Sequence, residues 1–237
     1  MRDEKRSAPE NIAGAIFDLD GTLMDTMSHW GTLGASYLRD NGIEPEPELA
    51  EIIGTLSLRG CAEFFQKRYY LKQTADEIIA EIVARLRRFY EEEALMKPLA
   101  LEVLKLLKGF GVKIALATAT PSALACAGLA RNGALDYFDA VFSCRDPEIN
   151  SNKSNPKIFE FALKSIGTAK EETIVVEDAL YAIETTTKAG FYTVAVEDDS
   201  ERRRKEAIVK TSDFYARDHA EFISWIREQF SDRVDRG

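Results

Sequence analysis

Two carboxylates one residue apart, Asp18 and Asp20, are preceded by the apolar run Ile12 to Phe17 and followed at once by Gly21 and Thr22. That run predicts a buried strand. Side chains alternate in direction along an extended chain, so Asp18 and Asp20 point the same way at its carboxyl end, and Gly21 lets the chain turn immediately afterwards. A carboxylate pair in such a place suits a hard divalent cation together with acid–base or nucleophilic work. The same residue types also form ordinary Asx turns, and Asp-x-Asp alone leaves both readings open. An EF-hand loop is excluded, because the glycine comes too early and His29, not Glu, holds the twelfth position.

Three further polar groups close apolar stretches. Thr118 follows Lys113 to Ala117, Lys153 precedes a helix opened by Pro156, and Glu177-Asp178 follow Ile174 to Val176. Singly, Thr118 could cap a helix, Lys153 could be an exposed lysine, and Glu177-Asp178 could be an acidic pair favoured by a helix dipole. Their common setting points to a site. From Pro98 onward, strands expected at 112–117, 140–143, 173–176, 193–196 and 214–216 alternate with helices at 99–108, 122–131, 156–166, 179–189 and 219–230. With 12–17 as the first strand, this pattern predicts βαβ crossovers and a parallel sheet, which binds ligands outside the carboxyl ends of its strands. All four polar groups fall at that edge.

Residues 27–96 have a different texture. They read as helices only, and in a helix expected over 74–94 the residues Ile78, Ile79, Ile82, Val83, Leu86 and Phe89 recur at three- and four-residue spacings as one apolar face. The fold class is therefore α/β, a Rossmann-like doubly wound parallel sheet core (1–26 and 97–237) with a small all-helical cap (27–96) inserted straight after the Asp pair. An insertion there can act as a lid. Trp30, Ser57, Arg59, Lys67 and Arg68 are its candidates for lining a pocket roof, against the ordinary reading of core or solvated face.

The 237 residues, 45% hydrophobic, suffice for one sizeable core and a smaller second unit. A net charge of −9 argues against nucleic-acid and anionic-membrane partners. Cys61, Cys126 and Cys144 are odd in number and far apart, which fits neither a disulfide framework nor a zinc cluster and predicts buried, reduced thiols. Met1 to Glu10 is charged without an apolar signal core, and no apolar run approaches the roughly 18 residues of a membrane span, so a cytoplasmic protein is expected.

Four segments, Asp18 to Thr26, Ala115 to Thr120, Lys153 to Phe159 and Val175 to Asp178, resemble in type and order the motifs of the haloacid-dehalogenase-like phosphohydrolases, and the helical insertion resembles the small cap of the phosphoglycolate phosphatase and β-phosphoglucomutase subfamily. The resemblance implies a phosphatase acting on a small phosphorylated metabolite. In it Asp18 would be the nucleophile that forms an aspartyl-phosphate, and Asp20 the acid and base. Mg²⁺ would be held by Asp18, the Asp20 main-chain carbonyl and Asp178, with Glu177 acting through a water; Thr118, Ala119 and Lys153 would bind the phosphoryl group. The third motif reads Lys153-Ser154-Asn155-Pro156 where the family has Lys-Pro-x-Pro; Lys153 rather than Lys157 is assigned because the proline and the following Ile-Phe keep the register. Ala179 and Ala182 stand where Ser and Gly are common. A sugar phosphomutase is the rival reading, and a non-catalytic phosphate sensor a third. Mutases that the chain resembles carry a Lys after the second motif, where this chain has Thr120-Pro121-Ser122, and an Arg just after a Gly in the cap, where it has Gly54-Thr55-Leu56-Ser57-Leu58-Arg59. Thr120 is read there as the cap of the next helix and Pro121 as its first residue.

Overall fold

The computed structural model describes residues 5–53 and 56–231. The chain divides into two compact units, Met1–Asp25 with Ala94–Gly237, and Thr26–Glu93. Six strands lie in the first unit: β1 (Gly14–Phe17), β2 (Lys113–Thr118), β3 (Ala140–Ser143), β4 (Thr173–Glu177), β5 (Tyr192–Val196) and β6 (Phe214–Ala216). Helices α1 (Met27–Asp40), α2 (Leu49–Ile53), α3 (Leu58–Arg68) and α4 (Ala75–Arg88) belong to the second unit. The first unit holds α5 (Ala100–Gly109), α6 (Ser122–Arg131), α7 (Lys157–Ile166), α8 (Leu180–Lys188), α9 (Lys205–Thr211) and α10 (His219–Gln229).

The sheet runs β3-β2-β1-β4-β5-β6, with every neighbouring pair parallel. Every residue of β1, β4 and β5 is buried. Such strands carry apolar side chains toward both faces because helices cover both. Ile16, Ala115, Ala117 and Val175 pack on Ile158, Phe159, Ala162 and Ile166 of α7 and its surroundings. Phe17 points the opposite way and meets Phe222 of α10, ring centroids 6.5 Å apart; nearby Phe110 and Phe230 stack at 4.2 Å. Each such side chain contributes about 1.5–3 kcal/mol by burial. Four strands differ from expectation at their bounds: β1 begins two residues late, β2 begins one late, β5 begins at Tyr192, and Thr118 and Glu177 are the last residues of β2 and β4 instead of following them. Thr118 and Glu177 are kept in their strands by pairing with Ser143 of β3 and Ala195 of β5.

In the helical unit, Thr74 caps α4 through a reciprocal pair: its hydroxyl accepts from Glu77 N, and the Glu77 carboxylate accepts from Thr74 N at 2.7 Å. Ile78, Ile82, Leu86 and Phe89 are buried, but Val83 is 37% exposed, so the apolar stripe is narrower than its sequence period suggests. α4 ends at Arg88 and gives way to a π-helical turn, Phe89–Glu93. The wider turn shifts the phase, so adjacent Phe89 and Tyr90 are both buried. His29 stacks on Phe89 at 3.6 Å, and Trp30 Nε1 donates to Tyr90 Oη at 3.0 Å.

The segments that leave and re-enter the sheet unit pair with each other. Met24 and Met96 form an antiparallel bridge, Asp25 N donates to Leu95 O, and Lys97 N donates to Leu23 O. Cys144 alone of the three cysteines is fully buried; Cys61 and Cys126 are half-buried, and all are free thiols. No helix among the described residues is long and apolar enough to cross a membrane.

Gly14 tests the fit of β1. A Cβ there would lie 2.5 Å from Thr168 Oγ1 and 2.8 Å from Thr173 Oγ1, two hydroxyls already bonded to each other. Gly14→Ala is expected to lower stability by about 1–3 kcal/mol, read as a lower urea midpoint at unchanged slope.

Candidate active site

Phe17 lies in register with Leu116 of β2 and Val176 of β4. Asp18 therefore leaves the sheet level with Glu177, its N–H still bonded to Val176 O at 3.0 Å. Because β1 lies between β2 and β4, Thr118, Asp18 and Glu177-Asp178 end on three adjacent strands at one edge. Lys153 comes to that edge on the segment after β3. Asp146 braces this segment, accepting from Ser143 N and from Ser122 Oγ at 2.7 Å each, and Ser151 N donates to Cys144 O. Lys153 Nζ donates to Asp18 Oδ1 and, at 2.6 Å, to Glu177 Oε1. Lys157 points elsewhere, its Nζ donating to Ile149 O at 2.6 Å.

Asp18, Glu177 and Asp178 are all buried, and each offers a carboxylate oxygen within 4.8 Å of the others. Burial pushes the Asp18 carboxyl up to about 7 against the opposing pull of Lys153. Asp178 is raised well above the carboxylate range, first by burial and then by Asp18 and Glu177. Burial disfavours the charge on Lys153, but its two carboxylate partners outweigh this and hold it protonated. Three buried carboxylates facing one ammonium, all-oxygen donors, fit a hard divalent cation that would make up the missing positive charge.

Two hydroxyls outside the expected set belong here. Thr22 Oγ1 donates to Asp178 Oδ1 at 3.1 Å. Thr120 is the larger correction: it does not cap α6, whose N-cap is Pro121 with no side-chain cap bond, and Ser122 is the first helical residue. Its Oγ1 donates instead to Asp20 Oδ2 at 2.6 Å, while its N–H donates to Thr118 Oγ1 at 3.0 Å. Thr22 could have been suspected from its place beside the Asp pair; nothing in the local sequence distinguishes a capping Thr120 from one bonded to Asp20. Ala119, between them, is exposed. The turn has no cation of its own, yet Arg145 Nε approaches Ala119 O at 3.4 Å.

The cap candidates have partners inside their own unit. Ser57 caps α3, Arg59 pairs with Asp76 at 2.5 Å, and Arg68 pairs with Glu46 at 2.7 Å; Lys67 is exposed. Gly54 and Thr55 lie outside the described residues.

A sequence model described as haloacid dehalogenase-like hydrolase matches residues 15–196, most of the chain and all four groups above. The chain belongs to the haloacid dehalogenase-like hydrolase family. It is 27% identical to a phosphorylated carbohydrates phosphatase of Thermotoga maritima over 76% of this chain and 82% of that one. To a fructose-1-phosphate phosphatase of Escherichia coli it is 27% identical, over 79% and 97%. A solved β-phosphoglucomutase of Clostridium difficile superposes with a TM-score of 0.68 at 21% identity, covering 94% of this chain and 99% of that one; at that identity the likeness is one of fold. The haloacid dehalogenase-like chain is thus an enzyme of the phosphatase type, in a family whose phosphatases generally use a divalent metal.

The raised Asp18 carboxyl carries a signed expectation. Protonated when folded up to about pH 7 but ionised when unfolded above about pH 4, it makes the unfolded chain bind fewer protons, so the cation-free protein loses stability as pH rises through that window. In chelator, wild type should therefore lose melting temperature relative to Asp18→Asn between about pH 4 and 7, and added Mg²⁺ should narrow the gap. Parallel curves in chelator would refute the burial argument.

Proposed function

We infer that the chain is a Mg²⁺-dependent, cytoplasmic phosphatase that hydrolyses a small phosphorylated metabolite, of the sugar-phosphate class, through an aspartyl-phosphate on Asp18. The observation that carries this reading is the contrast between two neighbouring carboxylates. Asp18 is buried against Lys153 in the carboxylate cluster, whereas Asp20 is half-buried and accepts from the neutral hydroxyl of Thr120. Two carboxylates in different environments suit two roles. The names of the relatives support that substrate class.

An Asp18 oxygen attacks phosphorus, the bond from phosphorus to the ester oxygen breaks, and Asp20 gives that oxygen its proton. A water oxygen then attacks phosphorus, its proton passes to Asp20, and the bond from Asp18 to phosphorus breaks to release inorganic phosphate. Lys153 offsets charge on Asp18 and the phosphoryl oxygens, and Thr118 Oγ1 and the Ala119 main chain donate to the phosphoryl. Asp18, the Asp20 main-chain carbonyl and Asp178 would hold Mg²⁺, with Glu177 acting through a water; the ion supplies positive charge for the phosphoryl oxygens. The helical unit is assigned recognition of the organic part of the substrate. A second reading, phosphomutase, is favoured by Arg145, a cation beside Ala119 that the turn itself lacks.

Against a panel of sugar and polyol phosphates, wild type should release inorganic phosphate, chelation should abolish this, and Mg²⁺ but not Ca²⁺ should restore it. Asp18→Asn should lower turnover by at least about three orders of magnitude with the fold retained; a variant with turnover intact would eliminate the covalent route. Incubation with β-glucose 1-phosphate and a trace of the 1,6-bisphosphate separates the two readings: phosphate release should exceed formation of glucose 6-phosphate, and the reverse would make the enzyme a mutase.

A further inference from the structure

We propose that Thr120 is a positioning residue that aims Asp20 at the leaving oxygen and fixes which carboxyl oxygen carries the transferred proton. The proposal rests on Asp20 being the acid and base in the reading above. Thr120 is 3% exposed, and its hydroxyl reaches Asp20 at 2.6 Å across a sequence separation of 100. Sequence placement makes it a natural helix cap, but α6 starts without one, so the hydroxyl serves an acceptor on β1's end instead of its own helix.

A protonated carboxyl has one hydroxyl oxygen and one carbonyl oxygen. The Thr120 hydroxyl, donating to Oδ2, occupies that oxygen of the ionised carboxylate and holds the carboxyl plane in one orientation. Oδ1 is thereby assigned the proton transfer: the proton leaves Oδ1 for the ester oxygen as the phosphorus–oxygen bond breaks, and Oδ1 takes the next proton from the attacking water. Without the donor, the broad torsion about the Cβ–Cγ bond lets the carboxyl swing and shares the proton between two oxygens. The same residue also orders the phosphoryl pocket, since its N–H occupies Thr118 Oγ1 as acceptor and leaves the Thr118 hydrogen to donate onward. One turn, Thr118-Ala119-Thr120, thus sets the phosphoryl contact and the acid in a common frame.

A purely structural hydroxyl, one that only braces the turn, would affect all substrates alike. A positioning hydroxyl matters where the leaving group needs a proton. The test compares Thr120→Val, which keeps shape and removes the donor, Thr120→Ser, which keeps the donor, and Asp20→Asn. Each is assayed with the sugar phosphate that wild type turns over fastest and with p-nitrophenyl phosphate, whose phenolate departs with little protonation, using stopped-flow detection of nitrophenolate. Thr120→Val should lose about 30-fold or more in kcat/KM on the sugar phosphate. First-turnover nitrophenolate release should fall no more than about threefold and appear as a burst followed by a slow steady state, because hydrolysis of the aspartyl-phosphate still needs the base. Thr120→Ser should recover most of the loss. Thr120→Ala carries the same comparison if the valine variant unfolds. Equal losses on both substrates, or none on the sugar phosphate, overturn the proposal. If Asp20→Asn itself shows no dependence on the leaving group, the role of Asp20 fails; if it does and Thr120→Val does not, only the role of Thr120 fails.

Discussion

The ammonium of Lys153, held between Asp18 and Glu177, is the contact on which the site depends. Paired charges at such distances attract by a few kcal/mol at the effective dielectric of protein interiors, about 20, and taking away one partner of a buried pair costs about 3–5 kcal/mol. The attraction is insufficient by itself, since Asp178 adds a third carboxylate that burial pushes toward protonation. The residual imbalance favours an oxygen-seeking cation and a substrate whose charge is drawn to one.

Such a cluster survives only if each group is fixed by something stronger than its own hydrogen bonds. Asp18 and Glu177 are fixed by the register of two fully buried strands, whose interior faces are filled from both sides by α7 and α10. Lys153 lacks a strand and depends on Asp146, which ties its segment to β3 and to the start of α6. The strand order reverses direction between β1 and β4, as in other doubly wound sheets, and the cluster lies at the end of that pair.

Much of this was legible in the chain because burial on two faces leaves near-continuous apolar runs, and short runs alternating with helical periods have few topological solutions. The convergence of Asp18, Thr118, Lys153 and Glu177-Asp178 followed from topology alone. What escaped was choice among partners. Thr120 has a cap position and a distant carboxylate both within reach, and local sequence favours the nearer. Between Lys153 and Lys157, four residues apart, motif register by contrast favours the first, and in the folded segment the second donates to Ile149 O. Val83 fits the apolar period of α4 yet faces out, because the period says which side is apolar and not how wide its cover is.

Met24 and Met96 lie side by side although the whole helical unit separates them in sequence. The ends of that insertion are thus already closed by main-chain hydrogen bonds belonging to the sheet unit, and its length or helix count can change without altering the register of β1 and β2. A chain built this way can exchange one contiguous block while the strand register that fixes its carboxylate cluster is inherited unchanged, which makes change in the helical unit mutationally cheap and change at the sheet edge costly.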